Sequence, residues 1–100
     1  MTITQLTSII NSGLKWNRVS NLPCVHAFYK DFYINLCKYN DNGIPTISLN
    51  VDDITNNKAD IFQDEITPAN AEFRILESTF QNALIHGKKI LADSKLLLEQ

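Results

Sequence analysis

At 100 residues, with 44% hydrophobic and 20% charged content, the chain suits one globular domain and not a disordered one. Its formal charge of −2 is unevenly spread: residues 1–40 carry four cations against one carboxylate, 41–65 carry six carboxylates against Lys58, and 66–100 balance. No run approaches the roughly 18 apolar residues of a membrane span, and three glycines leave almost nothing for a nucleotide-cradling loop.

Residues 2–12 read as a short helix. Thr2 or Thr4 supplies an N-cap oxygen, Ile3, Leu6 and Ile10 form the apolar stripe, and Gly13 suits the left-handed residue beyond the end. Met1 to Gln5 lack the basic start and continuous apolar run of a secretion signal. Leu14 to Val19 read as a strand, broken by Ser20-Asn21-Leu22-Pro23.

The next thirty residues form a β region. Cys24–Tyr29 is rich in β-formers, and Lys30-Asp31 reads as a tight two-residue turn. Phe32 to Tyr39 alternates, with Phe32, Ile34 and Leu36 on one side and Tyr33, Asn35, Cys37 and Tyr39 on the other. Asn40-Asp41-Asn42-Gly43 is the strongest turn signal, because Asn and Gly tolerate positive φ. Thr46 to Val51 alternates again, with Ile47, Leu49 and Val51 inward and Thr46, Ser48 and Asn50 outward. One polar and one apolar face predict an antiparallel sheet covered on one side. A polar connection follows, and Ala59 to Phe62 fits either an edge strand or a helical turn.

The C-terminal third predicts one long amphipathic helix from about Pro68 to about Leu98. Its stripe is Ala69, Phe73, Leu76, Phe80, Ala83, Gly87, Ile90 and Leu97. At about 1.5 Å per residue it would span about 45 Å, against about 27 Å for an eight-residue strand. It therefore overhangs the sheet or breaks near His86-Gly87, where glycine bends the helix or admits another backbone.

The candidate chemistry is thin. Cys24-x-His26 puts a thiol and an imidazole on one strand face, but no orienting third group is nearby, so both read as ordinary strand residues. Cys24, His26 and Cys37 show no zinc-ligand spacing, so no metal site and no cofactor are expected. Two cysteines are too few for a disulfide framework, which predicts reduced thiols and a cytoplasmic protein, a Cys24–Cys37 bridge being the lesser alternative. The aromatic group Phe28, Tyr29, Phe32, Tyr33 and Tyr39 has only Lys30 and Lys38 beside it, too few cations for a nucleic-acid platform.

These observations predict a single α+β domain over residues 1–100, with a short N-terminal helix, a three- to four-stranded antiparallel meander and a long C-terminal helix on one sheet face. The expected function is that of a non-enzymatic protein-binding module, of inhibitor, immunity or anti-defence type, which occludes or scaffolds a partner with a basic surface. Its candidate contacts are Asp52, Asp53, Asp60, Asp64, Glu65, Tyr33 and Tyr39. Phe80, Ala83, Gly87, Ile90, Leu91 and Leu97 are the candidate surface for a partner helix or a second copy, the latter giving a homodimeric assembly protein. A third reading is a small metal-dependent hydrolase on the acidic 52–65 loop. Nucleic acid and membrane are not expected partners.

Overall fold

The computed structural model describes residues 2–19 and 21–90, the last three by their backbone alone. The elements run α1 (Ile3–Ile10), β1 (Asn17–Val19), β2 (Cys24–Tyr29), β3 (Phe32–Asp41), β4 (Ile44–Asp53), β5 (Lys58–Ile66), α2 (Phe73–His86) and β6 (Lys88–Ile90). They form an α+β fold. Five antiparallel strands make a meander, and β6 adds to β1 in parallel, giving the sheet order β5-β4-β3-β2-β1-β6.

Local chemistry sets the element ends. Thr2 caps α1 in a reciprocal capping box with Gln5, and Gly13 takes φ +95° past its end. The Asn42-Gly43 hairpin has positive φ at both residues, 52° and 84°, as a type I′ turn requires. Lys30 takes φ 53° in the Lys30-Asp31 turn without help from glycine. Ala59 to Phe62 belongs to β5, an edge strand rather than a helical turn.

The core lies between one sheet face and the two helices. Val25, Ala27, Ile34, Leu36, Ile47, Leu49, Val51 and Ile66 meet Leu6 and Ile10 of α1 and Phe73, Leu76, Phe80 and Ala83 of α2. Burying each of the valine, leucine, isoleucine and phenylalanine side chains contributes roughly 1.5–3 kcal/mol. Polar contacts pin the layers at their rim: Lys38 Nζ donates to Glu77 Oε2 at 3.0 Å, and Arg18 Nη1 donates to the Leu84 carbonyl at 3.1 Å.

The long helix is corrected at its start, and at its other end it takes the break near His86-Gly87 that the sequence allowed. Residues 68–72 are turns, because the Asn70 side chain accepts the Glu72 amide at 2.8 Å and organises a non-helical approach. The helix stops at His86. Gly87 leaves it with ψ 149° while its amide still donates to the Ala83 carbonyl at 2.8 Å. A Cβ on Gly87 would collide with that carbonyl oxygen and lie 3.1 Å from the Trp16 carbonyl, so glycine here admits a close backbone. Pairing with β1 then draws Lys88–Ile90 into the sheet. Phe80 and Ala83 are buried inside the chain, facing its own sheet and not a second copy. Leu91, Leu97 and Leu98 lie outside the described residues.

The expectation of reduced thiols is also corrected: Cys24 and Cys37 form a disulfide. They stand directly opposite one another in the β2–β3 ladder, with Cα atoms 4.1 Å apart. The argument for the cytoplasm that rested on free thiols falls with it. Among the described residues, no helix is long and apolar enough to cross a membrane.

Candidate functional site: the open face of the sheet

Alternation sends every second side chain of the five-stranded meander away from the helices. The register then decides which of them meet. Across β2 and β3, Cys24 faces Cys37, His26 faces Asn35 and Phe28 faces Tyr33. Across β3 and β4, Tyr33 faces Asp52, Asn35 faces Asn50, Cys37 faces Ser48 and Tyr39 faces Thr46. Across β4 and β5, Asn50 faces Gln63 and Ser48 faces Glu65. Among the described residues, neither helix covers this side.

Aromatic groups hold one half of the face. The Tyr33 ring lies 5.0 Å from the His26 ring and 5.2 Å from Phe28, edge-on to the latter. Phe28 is 58% exposed, far beyond what a core phenylalanine shows, and Ile44, Ile61 and Tyr39 are exposed on the same side. His26 is the opposite case. It is 6% exposed, and neither ring nitrogen has a hydrogen-bond partner among the described residues. Burial lowers its pKa from the ordinary histidine value, which keeps the ring neutral near pH 7. Burial, helped by the negative charge of Asp52, raises the Tyr33 phenol and keeps it protonated.

Carboxylates hold the other half. The nearby Glu65 carboxylate is the main reason that the Tyr39 phenol is raised, with lesser contributions from desolvation and the Asp41 charge. Asp52 Oδ1 accepts the Asp60 amide at 2.8 Å, which stabilises Asp60 at φ 54° beside the register shift between Val51 and Asp53. The Asp60 carboxylate in turn accepts from Asn50.

The sequence-predicted contacts therefore divide. Tyr33, Tyr39, Asp52, Asp60 and Glu65 share the open face. Asp53 turns into the β4–β5 loop, where the Asn56 side chain and backbone amide donate to it at 2.8 and 3.1 Å and lower its pKa. Asp64, opposite Leu49, falls on the helix side of the edge strand. Adjacent carboxylates in a strand point to opposite faces, so Asp52 with Asp53, and Asp64 with Glu65, do not converge as acid–base pairs. Among the described residues, no group of three or more His, Cys, Asp or Glu is arranged to hold a metal ion.

A hollow of about 510 Å³ lies elsewhere, between the end of α1, the loop to β1 and the last turns of α2. Lys15, Trp16, Asn82 and His86 line it. Both helices end there, so their negative dipole ends offset the lysine and leave no clear charge preference.

Sequence reasoning missed His26 and Phe28 as members of the face. The signal was present: both alternate with Val25 and Ala27, and a two-residue turn at Lys30-Asp31 carries them opposite Asn35 and Tyr33. Compared with known proteins, the chain matches no protein-family model, no curated protein and no solved structure.

Proposed function

We propose that the protein is a non-enzymatic protein-binding module whose open sheet face docks a partner protein and so occludes or scaffolds it. One observation carries this reading. The side of the sheet that neither α1 nor α2 covers presents exposed Phe28, Tyr39, Ile44 and Ile61 among carboxylates, on a scaffold made rigid by the core behind it and the disulfide across it. Exposed aromatic and apolar groups on one surface are what interfaces concentrate and isolated surfaces avoid.

Size agrees. Five strands about 4.8 Å apart and about eight residues long give a footprint of about 600 Å², near the ~800 Å² per partner of a stable interface. This docking surface keeps Tyr33, Tyr39, Asp52, Asp60 and Glu65 of the contacts expected from sequence and adds Phe28, Ile44 and Ile61.

The test is comparative capture from the native cell. Wild-type protein and an open-face variant (Phe28→Ser with Tyr39→Ser) are used as baits, beside a helix-side variant at exposed positions (Arg74→Glu with Ile85→Ser). The reading requires a captured protein that is lost with the first variant and kept with the second. Equal capture by all three baits rules it out.

A further inference from the structure

The charges of the meander are sorted by face. Every charged side chain that β1–β5 direct to the open face is a carboxylate: Asp41, Asp52, Asp60 and Glu65. The cations of the same strands, Arg18, Lys38 and Lys58, fall on the helix side by register. Arg18 and Lys38 are tied there to the Leu84 carbonyl and to Glu77. Lys30, in the turn, lies over the Tyr29 ring at 5.2 Å, again on the core side. The net charge of −2 for the whole chain conceals this separation.

The sorting decides between occupants. A second copy would set four carboxylates against four. Phosphate backbones and anionic membranes carry the same sign and are repelled. A cationic protein surface is the complement. The aromatic rings and the carboxylates favour arginine over lysine within it. Tyr33, Tyr39 and Phe28 offer rings on which a guanidinium stacks, while an ammonium is more strongly hydrated and makes no bidentate fork to a carboxylate. The enclosed ring nitrogens of His26 also lack a partner among the described residues, and one of them suits a donor; guanidinium and ammonium both carry donors only, so this points to a cation and not to arginine over lysine.

We propose that the open face takes an arginine-bearing protein segment, with guanidinium groups between its carboxylates and its aromatic rings. This rests on the docking role proposed above.

The probe is a twelve-residue peptide of alternating arginine and serine, compared with its lysine–serine and glutamate–serine counterparts. Binding is followed by amide chemical shifts at physiological salt. The expected result is saturable binding of the arginine peptide that shifts Tyr33, Tyr39, Asn50 and Glu65. Binding of the lysine peptide is several-fold weaker, and the glutamate peptide does not bind. Asp41→Asn and Glu65→Gln, two exposed positions, should each weaken the arginine peptide about threefold. Shifts confined to Asp31, Asp53 and Asp64, or equal binding of the lysine peptide, overturn the proposal. So does binding to phosphatidylserine vesicles with no response to the peptide, or a dimer in sedimentation lost with Glu65→Gln. A silent arginine peptide combined with face-dependent capture removes only the arginine chemistry. A silent peptide with face-independent capture removes the docking role as well.

Discussion

The two faces of one sheet are built from the same strands, yet they solve different problems. The helix side is apolar in its centre and ties its charges off at the rim, with Lys38 on Glu77 and Arg18 on a helix carbonyl. The open side mixes an imidazole with no hydrogen-bond partner among the described residues, a stacked phenol, a disulfide and carboxylates. Folding accounts for the first set in full, because buried apolar area is the main term that opposes chain entropy. It does not account for an exposed phenylalanine near a buried histidine whose ring has no hydrogen-bond partner among the described residues. Stability thus rests on the helix side, and the proposed docking role would give the remaining groups of the open side a purpose.

The comparison breaks if open-face groups prove as important to stability as core groups. Leu36→Ala or Leu76→Ala, both fully buried, should cost about 2–5 kcal/mol in denaturant unfolding. The disulfide is the one structural device on the open side. Reducing it frees a short loop across β2 and β3 and should cost about 2–3 kcal/mol, read as a drop in midpoint temperature on adding reductant. Phe28→Ser and Gln63→Ala should change stability by less than about 0.5 kcal/mol. A loss above about 2 kcal/mol at Phe28 would make that residue structural and erase the contrast.

Acid sharpens the same contrast. The folded protein holds a proton on His26 less readily than the unfolded chain does. The stability associated with its neutral form is therefore present above the ordinary histidine pKa of about 6.5 and is lost as pH falls below it. Unfolding followed across this range should show a decline that His26→Gln removes. No decline, or one unchanged in the variant, would mean that the imidazole finds a partner in solution.

Much of the fold was legible in the sequence, because it rests on periodicity. The stripe Phe73, Leu76, Phe80 and Ala83, the alternation in β3 and β4, and the Asn42-Gly43 turn all appear where spacing and positive φ demand. The long helix misled because Lys88–Ile90 continues the apolar spacing while its backbone joins β1, and pairing with a distant strand overrides local pattern. The disulfide was within reach. A two-residue turn at Lys30-Asp31 puts Tyr29 against Phe32, and stepping back along the ladder puts Cys24 against Cys37. The acidic segment looked like one surface only because charge was counted along the chain. Strand geometry sends Asp52 and Asp53 to opposite sides, and only the register brings Tyr33, Tyr39 and Glu65 together.

The most direct test of a recognition face opposite a stability face is amide hydrogen exchange of the partner complex isolated by capture, compared with the free protein. Added protection in β2–β5 at Phe28, Tyr33, Tyr39 and Glu65, with α2 unchanged, is the predicted result. Added protection confined to α1 and α2, with those strand positions unchanged, would contradict it.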